Sequence, residues 1–227
     1  MQSITHWYIY LASELHLKWY TLDSVQDMRD LGITIDSHLK FHSHSSHIVS
    51  KANCLLGLIR KSFENITIQT LPILYKSLVR PTLEYGNPIW GPHYILDQQA
   101  VEKIQRRATK MIQPLRDLPY HARLYQLNLP SLAYRRRRGD MILIYQITHQ
   151  LLNISFPAFF TPSSHTSTRG HNYKLLKPHC KCRPRQSFFS VRSINDWNSL
   201  PANIVNATSL NHFKSLLDER WNNQLFN

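Results

Sequence analysis

Hydrophobic residues along this chain recur mostly at helical spacing, with a few shorter stretches of strand-like alternation. Ile48, Ala52, Leu55, Leu56 and Ile59 share one face of a stretch from about His44 to Phe63, so a helix with that face buried is expected there. Leu71, Leu74, Tyr75, Leu78 and Val79 mark a second helix, expected to end near Pro81, whose ring forbids continuation. Val101, Ile104, Ala108 and Met111 give a third its buried face, with Asp97 placed to cap it and Pro114 to stop it. A fourth runs from about Ser131 to Leu152 on Met141, Ile144, Ile147 and Leu151. A last one follows a capping Ser209, with Leu210, Phe213, Leu217 and Trp221 on one side. Strand signals are weaker. Leu31-Gly-Ile-Thr-Ile35 alternates with β-branched residues, and Asn172 to Lys177 and Gln186 to Arg192 read as two short strands joined by a basic loop. Met1 to Tyr20, with Trp7, Tyr8, Ile9, Tyr10, Trp19 and Tyr20, reads as a strand or helix start without its partners. The expected fold is mainly α (α+β): a strand region over 1–43, a helical bundle over 44–155, a Pro/Ser/Thr-rich linker over 156–168, and a basic C-terminal unit with a β-hairpin and helices over 169–227.

Charge changes this picture from a plain helical bundle to a surface that needs an anionic partner. Lys103, Arg106, Arg107 and Lys110 fall on the third helix opposite its apolar face, a cationic stripe about two turns long. A stripe of this kind standing alone is more often a solvated helix surface. Here it belongs to a segment, Val101 to Tyr145, in which Arg116, Arg123 and the run Arg135, Arg136, Arg137, Arg138 join it, against Glu102, Asp117 and Asp140. Such an imbalance repels itself unless something anionic is docked on it. The whole chain of 227 residues carries a net charge of +13 with a pI near 9.9, and Arg169 to Arg192 contains no acidic residue. These values fit a nucleic acid or an anionic membrane surface. No stretch approaches the roughly 18 apolar residues of a membrane span, since the most apolar run, Met141 to Leu152, is broken by Gln146, Thr148, His149 and Gln150. Cys54, Cys180 and Cys182 are too few and too unevenly spaced for a disulfide framework, and the N-terminus lacks a signal peptide's pattern. Both point to a reducing, intracellular setting, nucleus or cytoplasm, with no membrane partner.

Other constellations are weaker than they look. His38, His42, His44 and His47 with Cys54 include ligand-like spacing, but lack an acidic or thiolate companion in sequence. His179-Cys180-Lys-Cys182 supplies two sulfurs where a closed zinc site needs four ligands. Arg138-Gly-Asp140 spells an adhesion tripeptide inside a helical stretch, and Thr168-Arg-Gly-His171 offers a His with no nucleophile spaced around it, so a turn with Arg169 on phosphate or backbone is expected. Trp197, Leu200, Phe213 and Trp221 are expected in the core rather than as stacking platforms for bases.

Several strings occur in one order along the chain. They are Asp30-Leu-Gly-Ile33, Lys51-Ala52, Leu56-Gly-Leu-Ile-Arg60, Leu74-Tyr-Lys-Ser-Leu-Val-Arg-Pro81, Leu83-Glu-Tyr85, Val101 with Gln105-Arg-Arg-Ala-Thr-Lys110, Tyr134-Arg with Arg138-Gly-Asp140, Thr168-Arg-Gly-His171 and Trp197-Asn-Ser-Leu-Pro201. In this order they resemble the reverse transcriptases of non-LTR (LINE-type, jockey-like) retrotransposons, over roughly Val25 to Trp221. The part resembled lies downstream of the polymerase palm. The resemblance implies that Leu31 and Gly32 correspond to the primer grip at the palm's end, and that 44–155 is a thumb-like helical domain. It further implies that the partners are RNA and DNA as a template-primer hybrid, together with the palm and endonuclease portions of the parent polyprotein. On that reading Lys103, Arg106, Arg107, Lys110, Arg135, Arg136, Arg137, Arg138 and Arg169 are the expected nucleic-acid contacts. Two-metal nucleotidyl transfer needs clustered carboxylates holding ions about 4 Å apart. The chain has no Asp-Asp pair, and Glu14, Asp23 and Asp27 are scattered ahead of the Leu-Gly strand. No cofactor is therefore expected in this chain. Mg²⁺ would belong to the missing palm, and no polymerase activity is expected from the chain alone. A decayed retroelement remnant with only structural residues is the alternative expectation.

Overall fold

The computed structural model describes residues 25–163 and 170–226, with the backbone of 16–17 and 20–21. His16–Leu17 (β1) pairs antiparallel with Tyr20–Thr21 (β2). The rest of the expectation for Met1 to Tyr20 lies outside the described residues, as does Arg169. A second antiparallel pair, Asp27–Asp30 (β3) and Ile33–Asp36 (β4), closes on a two-residue turn in which Leu31 (φ 44°) and Gly32 (φ 83°) are both left-handed. Positive φ at both turn residues matches the twist of the flanking strands. Leu31 and Gly32 thus form a hairpin tip rather than part of one strand. With Leu standing where Asn or Asp usually signals such a turn, the alternation pattern ran through it.

The hairpin delivers the chain into the first long helix. The Asp36 carboxylate accepts hydrogen bonds from the backbone N–H of His38, Lys40 and Phe41 at 3.1, 3.0 and 2.6 Å, which fixes the loop ahead of His42–Ser62 (α1). The second helical stretch does not stop at Pro81. Thr70–Leu74 (α2) passes through a π-helical turn, Tyr75–Val79, into Arg80–Glu84 (α3), and the Arg80 N–H reaches the Tyr75 carbonyl five residues back. The widened turn gives the proline ring room where an ordinary helix would clash with it. Asn87–Trp90 (α4) follows Gly86, whose φ is 64°.

The basic helix is Ile95–Thr109 (α5). It begins earlier than expected and Tyr94, not Asp97, stands at its N-cap. Asp97 lies within the first turn, where a carboxylate favours the helix dipole, and its Oδ2 is 2.6 Å from His42 Nδ1. The helix ends ahead of a short 3₁₀ turn, Gln113–Leu115, so Pro114 sits beyond its stop. After Tyr120–Gln126 (α6), the Ser131 hydroxyl accepts from the Tyr134 N–H and caps Leu132–Thr148 (α7). Leu151 lies past this helix and is exposed rather than part of its stripe.

The buried side chains form two cores. One gathers Ile33, Ala52, Leu56, Ile59, Leu71, Tyr75, Trp90, Val101, Ile104 and Leu124 and reaches Leu132. Inside it the Tyr75 hydroxyl donates to Gln105 Oε1 (2.9 Å), and Gln105 Nε2 donates to the Pro130 carbonyl (3.0 Å), so a fully buried amide is satisfied. The other core begins at Tyr134 and packs Met141, Ile144 and Ile147 of α7 with Phe160, Trp197, Leu200, Phe213, Leu217 and Trp221. The seam therefore falls at the start of α7. The apolar stripe of α7, inside the expected 44–155 unit, packs on C-terminal residues. Phe156–Phe159 (α8) is helical and Phe160 is buried, so the supposed linker is partly built into this core.

The expected C-terminal β-hairpin is absent among the described residues. Asn172 to Lys177 runs as a loop with one bridge, Leu175 to Pro162. Gln186 to Arg192 falls in two short helices, Arg183–Ser187 (α9) and Phe189–Arg192 (α10), which place Phe189 and Val191 inward. Burial in one tight turn overrides the β preference of these residues. Ile194–Asn198 (α11), Ala202–Val205 (α12) and Leu210–Arg220 (α13) complete a mainly helical fold.

Candidate nucleic-acid interface

Packing of α5 along α1 turns the cationic stripe outward. Lys103, Arg106, Arg107 and Lys110 are all exposed, while Val101, Ile104, Gln105 and Ala108 are buried beneath them. Two adjoining cavities open on this face. The larger, about 1200 Å³, is lined by Lys103, Arg106, Arg107 and Lys110 with Asn53, Gln99, Tyr120 and Arg123. The second, about 570 Å³, shares Arg107 and Lys110 and adds Arg60, Lys61 and Arg116, with Glu64 as its one carboxylate. Together they make a continuous basic groove. Arg60 and Lys61 were missed in the sequence, and Arg116, counted there among the basic residues, was not among the expected contacts. Arg60 and Lys61 stand in the last turn of α1, where cations favour the helix dipole, and nothing local shows that this turn meets α5.

The groove is partly preorganised. The Arg106 guanidinium lies 4.9 Å from the Tyr120 ring centroid, and the Tyr120 hydroxyl donates to Glu102 Oε1 at 2.6 Å. Burial and the Glu102 carboxylate push the Tyr120 pKa far up, so the ring stays a neutral platform. Arg107 Nη1 donates to Asn53 Oδ1 at 2.9 Å. Arg123 is a wall rather than a hand: it is buried, with Nε on Thr109 Oγ1 (3.0 Å) and Nη1 on the Leu118 carbonyl (2.5 Å). The side chains of Lys103, Lys110, Arg60, Lys61 and Arg116 make no hydrogen bond or ion pair among the described residues.

The arginine run is placed differently from expectation. Successive helical residues point about 100° apart, so the four side chains diverge. Arg135 holds Glu84 through both Nε and Nη2. Arg137 holds Asp196 at 3.0 Å through Nε and Nη2, donates to Gln224, and lies over the Trp221 ring at 4.9 Å. Arg138 holds Asp218, Nη2 to Oδ2 at 2.7 Å, and the Tyr134 hydroxyl donates to the same carboxylate at 2.9 Å. These bidentate pairs tie α7 to α3, α11 and α13. Arg136 alone lacks such a partner and faces the seam between the cores. The carboxylates responsible are 51 to 80 residues away, which is why a local reading counted the run as free charge.

Leu31 and Gly32 stand at the hairpin tip, where the Tyr85 hydroxyl donates to the Leu31 carbonyl at 3.0 Å, and they do not line the groove. His171 is buried with Nε2 3.2 Å from the Trp197 carbonyl, a structural setting. Trp197, Leu200, Phe213 and Trp221 are core residues, as expected. His42 is taken by Asp97, and His44 is buried with Nδ1 accepting from the Thr34 N–H. Among the described residues no group of three or more His, Cys, Asp and Glu could hold a metal, and the cysteines are free thiols. No described helix is long and apolar enough to cross a membrane. No family model, curated protein or solved structure matches the chain.

Proposed function

We propose that the chain is the template-primer clamp of a LINE-type reverse transcriptase, gripping an RNA:DNA hybrid through backbone phosphates without carrying out chemistry itself. One observation carries this reading: basic side chains from α1, α5 and the segment after it converge on one groove in which Glu64 is the only carboxylate among the lining residues. The order of the sequence strings, which resembles that family, supports the reading, and the groove offers a surface that could hold the hybrid. Lys103, Arg106, Arg107 and Lys110 are the principal contacts, with Arg60, Lys61 and Arg116 extending the track. Arg135, Arg137 and Arg138 leave the list because their charges are spent on Glu84, Asp196 and Asp218. Mg²⁺ and the carboxylates that hold it belong to the palm, and the exposed hairpin side chains Met28 and Leu31 would pack against that palm in the nucleus or cytoplasm where the parent acts.

The test is salt dependence. Binding of an RNA:DNA hybrid should be sequence-independent, with log affinity falling linearly in log salt by roughly 0.7 to 0.9 per phosphate neutralised. Arg106→Gln with Arg107→Gln should flatten that slope by about one to two units. The stability change should stay within about 1 kcal/mol for the pair, since one cation–π contact and one exposed hydrogen bond are lost. An unchanged slope in the double variant would reduce the groove to a solvated face.

A further inference from the structure

At the seam between the two cores a cavity of about 370 Å³ opens between α7, the turn after Trp90, and the segment from Gln186 to Asp196. Its size sits at the low end of small-ligand pockets. Arg136, Arg137 and Arg192 line it together with Asp140 and Asp196. The charges do not cancel in place. Arg192 takes Asp140 with Nε and Nη2 at 2.9 and 3.0 Å, and Arg137 takes Asp196. The Arg136 side chain is left half-buried with no hydrogen bond or ion pair among the described residues, and burial weighs against its charge. A guanidinium has five N–H donors in a planar fork, and leaving them unmet away from bulk water is expensive. Two further polar atoms of lining residues, Asn87 Oδ1 and His93 Nε2, are buried without a partner. Gly91 keeps the floor open, since a Cβ there would come within 2.8 Å of Arg192 Nη1.

We infer that this cavity is a binding site for a phosphomonoester, with the Arg136 fork on the phosphate oxygens. The match is one of inventory. An unpaired planar fork suits the oxygens of a phosphate. Glu102 is the competing partner: its Oε2 is buried and unmet and its charge reaches Arg136, but the two form no ion pair. The site stands apart from the basic groove and does not depend on the clamp reading. The same chemistry could come from a free nucleotide or from the 5′-phosphorylated end of a strand.

Adenosine 5′-monophosphate, adenosine, and one oligonucleotide with either a 5′-phosphate or a 5′-hydroxyl would be titrated into the full chain at constant ionic strength. The monophosphate should bind and raise the melting temperature at about 10 mM, and adenosine should not. Arg136→Gln should weaken the monophosphate at least tenfold, while Arg106→Gln with Arg107→Gln leaves it unchanged. Asn87→Asp, which puts a negative charge on the same wall and keeps Arg136, should abolish binding with the fold retained. It remains informative if Arg136→Gln fails to fold. A preference for the 5′-phosphorylated strand that is lost in both cavity variants assigns the strand end as the source; monophosphate binding without that preference assigns the free nucleotide. Equal binding of monophosphate and adenosine, or undiminished binding in Asn87→Asp, would overturn the proposal and return Arg136 to neutralising Glu102.

Discussion

Asp218→Asn should destabilise the fold by about 2 kcal/mol and leave hybrid binding intact or slightly stronger. In the parent, Asp218 accepts from Arg138 through Nε and through Nη2 at 2.7 Å, and from the Tyr134 hydroxyl at 2.9 Å. Burial alone would raise the carboxyl's pKa, yet the Arg138 and Tyr134 hydrogen bonds and the Arg138 charge outweigh it and hold it below the usual carboxylate value. The Asp218 side chain is 42% exposed, so solvent screens the Coulomb attraction and the ion pair is worth about 1 kcal/mol rather than the figure for a buried one. The hydrogen bond from Tyr134 to a charged acceptor adds about 1 kcal/mol more. Spread over a chain of this size, a loss of about 2 kcal/mol lowers the melting temperature by roughly 4 to 8 °C. Urea unfolding at pH 7 reads the change, and a double-mutant cycle with Arg138→Gln should return a coupling of about 1 kcal/mol. Because the folded-state pKa is depressed, this stability is present above the ordinary carboxylate value near 3.8 and is lost as pH falls below it. If Arg138 instead served nucleic acid, Arg138→Gln would weaken the hybrid while both variants melted like the parent. That result would refute the structural assignment of the arginine run.

His44 makes the fold acid-sensitive by the opposite route. Burial in the core, aided by the His47 and Arg29 charges, lowers its pKa from 6.5 to about 4, so stability present above about 6.5 should decline by about 1 to 3 kcal/mol as pH falls toward 4. His44→Gln should flatten that part of the profile, and a profile unchanged in the variant would place the titration elsewhere. Gly86→Ala should cost about 1 to 3 kcal/mol, because φ there is +64° and the new Cβ would lie 2.5 Å from Ile33 Cδ1. Gly57→Ala, on an open helical surface, should gain about 0.5 to 1 kcal/mol in the same urea titration. Loss of stability at Gly57 would mean that this surface is packed against something.

What the sequence made legible follows the range over which each signal acts. The apolar faces of α1, α5, α7 and α13 depend on spacing within the helix, and Ile48, Ala52, Val101, Ile104, Met141, Ile144, Phe213 and Leu217 are buried as that spacing requires. The exposure of Lys103, Arg106, Arg107 and Lys110 came from the same periodicity. Strand and turn signals failed where one residue type carried two meanings. Leu31 takes a left-handed turn position that its side chain disguises, and Phe189 and Val191 enter a helical turn because the core beneath them needs their volume. The arginine run failed for a third reason. Charge can be counted along a chain, but whether a charge is free depends on partners such as Glu84, Asp196 and Asp218, whose proximity only the fold creates. The same long-range accounting that removes Arg135, Arg137 and Arg138 from the interface leaves Arg136 unmatched in the seam. A helix that looked uniformly basic in sequence thus divides its four arginines: Arg135 ties the second core to the first through Glu84, Arg137 and Arg138 hold α7 to Asp196 and Asp218 within the second core, and Arg136 faces an open polar cavity. The groove on α5 has the reverse logic, since none of its lining cations is in an ion pair among the described residues and Glu64 is the one carboxylate among the lining residues.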